Sequence, residues 1–345
     1  MLKGLFLSGP GRGRETYAST TDRDQAKAYE YFQKVIQKAP DFAPAYARMA
    51  LLDAHMRPKD VRARARQLAL KALELDDTLA EAHVALGWLE FSDWDFPWAD
   101  REFRRAIELN PNLAAARIWY ISYLMCLRRF EDAEAQGEVA LQLNPASADV
   151  LTHVANHYLF SGRMDKAIEL YRQGLDLEPG YGGGHWSLGR AYYVQGKYQE
   201  SVAELEMAIA ERGRSFQNLS VIGAAYIKAG RRKEGLAVLR ELEERWKQGR
   251  GGHDMGAFVY IALGDKDKAF DLLETAFERR ENYLILLLGD PLYEPLRSDP
   301  RFHDLARRIG FPPDTLRRAG IQTENLPPIA ATGETAKRSV DARQR

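Results

Sequence analysis

The sequence predicts an all-α protein: a right-handed α-solenoid of helix-turn-helix hairpins, finished by C-terminal capping helices. Three observations carry that prediction. A 34-residue unit repeats in one register from Ala80 onward, small residues recur at fixed places inside it, and the last stretch of chain is polar and free of aromatics. A period of this length marks stacked supersecondary units, each too small to bury its own apolar face alone.

The units begin at Ala80, Ala114, Ala148, Gly182, Phe216 and Arg250. Their eleventh places hold Glu90, Leu124, Tyr158, Tyr192, Tyr226 and Tyr260. Their twentieth places hold Ala99, Ala133, Ala167, Ser201, Gly235 and Ala269, and Gly87, Gly189 and Gly223 stand at the eighth. Small residues are needed where the two helices of a hairpin cross, because a bulky side chain would hold them apart. Leu86, Phe103, Tyr158 and Tyr171 are then expected to fill the space on either side. Pro111, Pro145 and Pro179 close the first three units, since proline cannot continue a helix and turns the chain into the next hairpin.

Towards the N-terminus the pattern weakens. Ala28, Phe32, Val35 and Pro40 match the second helix of a unit whose first helix is absent or degenerate. The next unit starts near Ala43 and runs for 37 residues with Pro58 in its turn, which reads as a three-residue insertion in a loop. The expected organisation is a flexible leader over 1–22, degenerate units over 23–79 and the regular array over 80–280. Capping helices over 281–313 and a disordered tail over 314–345 follow, the tail because its composition cannot offset the entropy of ordering.

This pattern resembles the tetratricopeptide repeat. Leu2-Lys3-Gly4, Ala80-Glu81-Ala82-His83, Asp93-Trp94-Asp95-Phe96 and the stretch from Leu296 to Phe302 are similar to the repeat regions fused behind bacterial winged-helix regulators, nucleotide cyclases and Ser/Thr kinases. In such proteins an effector domain precedes the array. None is recognised here, so the resemblance implies the scaffold or sensor half alone, without catalysis or DNA binding.

Composition narrows the function further. Forty-nine Lys and Arg balance forty-nine Asp and Glu, which argues against a nucleic-acid surface. The single cysteine, Cys126, excludes an intramolecular disulfide and a Cys-clustered zinc site. The longest apolar run, Ala257 to Leu263, is far short of the roughly 20 residues of a membrane span. A cytoplasmic location without a cofactor or membrane span is expected.

Features that invite chemistry have plainer explanations. His153 and His157 have zinc-compatible spacing, but no third ligand accompanies them and packing roles are expected. Gly180 to Gly184 lacks the Gly-Lys-Ser/Thr of a phosphate loop and falls at an inter-hairpin turn. Asp93 to Trp98 places two carboxylates in a turn, where Asp95 ahead of Pro97 is a helix cap. Cys126 has apolar neighbours and no converging base, and the Gly11–Arg14 run reads as part of the leader. No constellation meets the tests of an active site, so no enzyme is expected.

The resemblance implies that the second, fifth, ninth, twelfth and thirteenth places of each first helix line a concave groove. These supply Trp88, Phe91, Ser122, Met125, Thr152, Asn156, Trp186, Arg190, Tyr193 and Phe258 as the expected partner-binding residues. Thr152, Asn156 and Arg190 form a polar centre flanked by apolar surface, which suits a peptide or protein segment. Arg190 has no acid at helical spacing before it and none four places after it, so it is expected to be free for a ligand carboxylate. The clamp of chaperone-tail readers is not expected, because the fifth places carry no lysine. The expected function is a protein-interaction scaffold. The alternative is a regulatory module for a separately encoded kinase, cyclase or transcriptional regulator.

Overall fold

The computed structural model describes residues 22–54 and 59–323. Every regular element among them is helical. Helices α1 (Asp22–Lys38), α2 (Ala43–Ala54) and α3 (Lys59–Leu75) form the N-terminal part. The regular hairpins are α4 (Ala80–Ser92) with α5 (Phe96–Leu109), α6 (Ala114–Cys126) with α7 (Phe130–Leu143), and α8 (Ala148–Phe160) with α9 (Met164–Leu177). They continue as α10 (Gly182–Val194) with α11 (Tyr198–Arg212), α12 (Phe216–Lys228) with α13 (Arg232–Lys247), and α14 (His253–Leu263) with α15 (Lys266–Glu278).

Five first helices start on the first place of their unit, so the sequence register is the register of the fold. The sixth starts three places late, at His253, because Gly249 and Gly252 hold left-handed backbone at φ 74° and 97°. Side-chain caps fix several starts. Asp95 accepts from the Trp98 N–H ahead of the turn of Pro97, and Ser147, Ser215 and Asp265 cap α8, α12 and α15 in the same way.

The small places are where hairpins close. Ala99, Ala133, Ala167, Ser201 and Ala269 are all fully buried. A Cβ added to Gly189 would stand 2.7 Å from Leu205 Cγ, and one on Gly87 would stand 2.9 Å from Phe103 Cδ1. A further lock recurs between the fourth place and the twenty-third. His83 bonds Glu102, Arg117 bonds Gln136 and His185 bonds Glu204, each at 2.6 Å across its own hairpin.

First helices pack directly on the first helices of neighbouring hairpins along the whole array. They form the inner layer, and the second helices form the outer one. The array curls until its last hairpin returns to its first regular one. Trp94 stacks on Phe277 with centroids 5.5 Å apart, and Arg62 donates to Asn282 Oδ1 at 3.0 Å.

The turn inside each regular hairpin uses one left-handed residue at the fifteenth place. Four units use Gly162, Gly196, Gly230 and Gly264, while the first two use Trp94 at φ 67° and Arg128 at φ 56°. A side chain in that conformation costs on the order of 1–2 kcal/mol, so both residues need a compensating contact.

The capping segment is helical as expected, and it opens with two 3-10 helices, Asn282–Leu286 and Pro291–Leu296, before α16 (Pro300–Ile309). Pro291, Pro295 and Gly289 interrupt any longer helix there. Two expectations about the ends are corrected. The segment does more than cover the last hairpin, since it runs along the inner layer. Order extends past Pro313, because α17 (Pro313–Arg318) follows and Thr315, Leu316 and Ile321 are buried. Those aliphatic anchors substitute for the aromatics whose absence suggested a tail. The rest of the expected tail from position 324, the leader up to position 21, and Pro58 lie outside the described residues.

Candidate functional site

The inner face of the solenoid is occupied by the chain itself. Residues 281–297 pack on α4, α14 and α15 and reach α6 and α8 through Gly289, α10 through Asp290 and α12 through Tyr283, with Leu284, Leu287, Leu288, Tyr293 and Leu296 fully buried. At the centre Arg190 Nη2 meets Asp290 Oδ2 at 2.5 Å, both side chains almost wholly buried. The other Asp290 oxygen accepts from the Leu292 N–H, so the carboxylate is used on both sides. Arg190 also lies 4.5 Å from the Trp186 ring centroid, a cation–π contact within the groove.

Close approach and backbone recognition hold the rest. A Cβ on Gly289 would stand 2.8 Å from Phe160 Cδ1 and 3.0 Å from the Met125 carbonyl, so only glycine fits against the groove floor. The Leu288 carbonyl accepts from Arg128 at 3.1 Å and from Arg297 at 2.8 Å. Tyr293 donates to the Asp254 carbonyl at 2.9 Å and packs on Phe258 with centroids 4.8 Å apart. The Asp254 carboxylate accepts from the Tyr283 N–H at 3.0 Å.

Glu281 anchors the start of the segment at the N-terminus of α14. Its Oε2 accepts from the N–H groups of Gly252, His253 and Asp254, and its Oε1 pairs with His253 Nδ1 at 2.6 Å. Burial works to raise this carboxyl, but the bonds from His253 and the helix N–H groups outweigh it and hold its pKa below the usual value. Cys126, the residue after Met125, is fully buried, and burial pushes its thiol well up, with Asp290 adding and Arg190 opposing.

The expected groove residues are therefore not a free surface. Arg190, expected to be unpaired, is a buried ion-pair partner of a residue a hundred positions away. Phe258 and Met125 are buried against the segment, at Tyr293 and Gly289, and Thr152 is buried as well. Phe91 belongs to the hairpin interior, against Tyr123 and Phe96, and the Ser122 hydroxyl bonds the Ile118 carbonyl of its own helix. Asn156 stays half-buried and accepts from the Tyr171 hydroxyl at 2.7 Å. Trp88, Trp186 and Tyr193 are half-exposed, and Trp88 extends a ring row through Trp119, 4.6 Å away, to His153.

Asp290, Gly289, Tyr293, Arg128 and Trp94 are the residues that reasoning from sequence missed. One signal was available. Trp94 and Arg128 stand at the place where four other units carry glycine, and both touch the C-terminal part: Trp94 stacks on Phe277, and Arg128 holds Leu288.

Among the described residues, no cluster of three or more His, Cys, Asp or Glu side chains converges as metal ligands do. His157 accepts from Arg163 at 2.8 Å, and His153 bonds the Asp149 carbonyl at 3.0 Å. No described helix is long and apolar enough to cross a membrane.

The tetratricopeptide repeat family matches residues 158–220, from within α8 to within α12. The array is a tetratricopeptide-repeat solenoid. Among solved structures, the human IFIT1 dimer with m7Gppp-AAAA is 17% identical, with a TM-score of 0.57 over 94% of this chain and 78% of that one. A thermophilic tetratricopeptide-repeat protein from Thermus thermophilus is 20% identical, with a TM-score of 0.47 over 53% of this chain and 98% of that one. The likeness to the IFIT1 structure carries the solenoid fold alone. Tetratricopeptide arrays serve in general as protein-interaction scaffolds, and that is the general role of this one.

Proposed function

We propose that the chain is a non-catalytic, cytoplasmic scaffold that recognises a peptide or protein segment along its concave face. One observation carries the proposal: the concave face already holds such a segment, bound by an arginine–aspartate pair, an arginine on a backbone carbonyl and buried leucine anchors. This is how a peptide is recognised, with apolar anchors for affinity and charge-assisted bonds for register. A protein ligand is favoured over nucleic acid because the formal charge is zero and the groove's central cation already has a carboxylate partner. A single buried thiol suits a reducing compartment.

The half-exposed rim, from Trp88 through Trp119 and Asn156 to Trp186 and Tyr193, is the part of the groove left for a partner. The filled centre also favours the second reading, a regulatory module for a separately encoded effector, since a groove that holds its own segment can report a change of state. Site-specific photo-crosslinking in cells tests the proposal. A crosslinker at Asn156 is expected to capture a defined partner segment. One at Gln173, in the outer furrow of about 440 Å³ between α9 and the α10–α11 turn, is not. Capture from Gln173 alone would move recognition to the outer face.

A further inference from the structure

We infer that residues 281–297 are a releasable intramolecular ligand, and that the groove they fill takes a partner segment of the same chemistry: a leucine run ending in Gly-Asp. The inference deepens the proposed function and rests on it.

The segment is built like a bound peptide and unlike the array. Its two short 3-10 turns make few backbone bonds to the hairpins; side chains do most of the holding. Each hairpin packs chiefly on its neighbours, so the register of α4–α15 does not depend on the segment. Both ends of the strap are moored separately. Glu281 caps α14 at one end, and beyond the other α16 is tied to α15 by Arg301–Asp267 at 2.9 Å and Arg308–Glu274 at 2.6 Å. The middle can therefore leave while the ends stay.

The groove carries features that serve the ligand and not the hairpins. Arg128 holds left-handed backbone where glycine serves in four other units, and its side chain reaches the Leu288 carbonyl of the segment. Strain kept at a position that a relaxed residue could fill is characteristic of sites built for binding. Arg190 and Asp290 form a buried ion pair, and such pairs are better suited to fixing register than to adding stability. The ligand rule follows from the fit. Leucines enter the apolar walls, glycine passes the Met125 carbonyl and Phe160, and aspartate reaches Arg190.

Cys126, the one cysteine of the chain, is buried next to Met125, whose carbonyl faces Gly289, and provides the test in the full-length protein. Its modification by an aromatic disulfide reagent is measured in increasing low denaturant, for the parent and for Gly289→Ala, whose added Cβ meets Phe160 and the Met125 carbonyl and loosens the segment while the groove stays unchanged. Local release gives labelling with a shallow denaturant dependence, at least fivefold faster in Gly289→Ala, with the global unfolding midpoint little changed. A labelled peptide of residues 281–297, its glycine intact, then binds Gly289→Ala at least tenfold more tightly than it binds the parent. The same peptide with asparagine in place of its aspartate binds more weakly. Labelling that follows the steep dependence of global unfolding in both proteins would make the segment permanent core and overturn the inference. In that case capture by the Asn156 crosslinker would still stand for the scaffold, so the two failures are distinguishable.

Discussion

Arg190 and Asp290, a hundred residues apart in sequence, meet at 2.5 Å on the inner face of the solenoid. Their contact turns an open superhelical groove into a filled one, because it sits at the centre of a segment that touches first helices from α4 to α14. It also decides which residues are structural. A guanidinium paired with a buried carboxylate cannot be removed without leaving a charge in an apolar interior.

Arg190→Ala is therefore expected to lower stability by about 3–5 kcal/mol, and Asp290→Ala by a similar amount. The sequence by itself led to the opposite expectation, a change within about 0.5 kcal/mol, as for an exposed side chain. Replacing both, with Arg190→Met and Asp290→Leu, is expected to recover most of the loss, since apolar groups of similar shape need no counter-charge. Urea titrations of the four proteins, followed by circular dichroism, measure this. Additive single effects in the double variant would mean that the two residues act independently.

The hairpin crossings give a second prediction. Ala106 is fully buried where α5 closes on its hairpin, so Ala106→Leu should cost about 1–3 kcal/mol by overpacking. Leu177 is 52% exposed on the outer edge, and Leu177→Ala should stay within about 0.5 kcal/mol. Thermal melts of both variants beside the parent compare them directly. Equal shifts would contradict the register.

Much of the fold was legible because its cause is periodic. Ala99, Ala133 and Ala167 recur since two helices must cross at the same place in every unit, and a single sequence displays that repetition. The site was less legible because its contacts are not periodic. A search for partners of Arg190 along its own helix finds no pair at the favoured spacings, while the partner lies beyond two further hairpins. The departures from periodicity were the better guide. Trp94 and Arg128 in place of a turn glycine, and Gly289-Asp290-Pro291 within a leucine-rich run, mark where another part of the chain docks. Counting aromatics misplaced the tail, since Leu316 and Ile321 bury well without a ring.

The packing of residues beyond Pro313 is testable by truncation. Stopping after Pro313 removes the buried Leu316 and Ile321, each worth about 1.5–3 kcal/mol when fully buried, less what the unfolded chain already hides. A loss of about 2–4 kcal/mol is expected, seen as a melting temperature lower by several degrees. Stopping after Thr323 keeps both anchors and should leave the melting temperature within a degree or so of the full chain. A truncation at Pro313 as stable as the parent would return those residues to the tail.

The last prediction concerns acid. His157 is fully buried, and its Nε2 accepts from Arg163 at 2.8 Å, so protonation would remove an acceptor and set a second cation beside the guanidinium. Burial first, and then Arg163, push its pKa down from 6.5 to about 4, with Glu134 opposing. In the unfolded chain the imidazole titrates near its ordinary value. Between those two values the unfolded state binds the proton and the folded state does not, so stability falls as pH falls from about 6.5 towards 4. The loss should reach roughly 2 kcal/mol by pH 5 and approach 3 kcal/mol near pH 4. His153 acts in the opposite sense: Asp149 outweighs burial and raises its pKa, so its contribution is complete at low pH and lost as pH rises through that value. Carboxylates held low, such as Glu281 and Glu134, lose their contribution at more acidic pH, which leaves the interval from 6.5 to 5 largely to His157. His157→Gln keeps an acceptor for Arg163 and cannot titrate. Urea midpoints at pH 7, 6 and 5 should therefore fall in the parent and stay nearly level in His157→Gln. Parallel slopes in the two proteins would assign the acid sensitivity to another group.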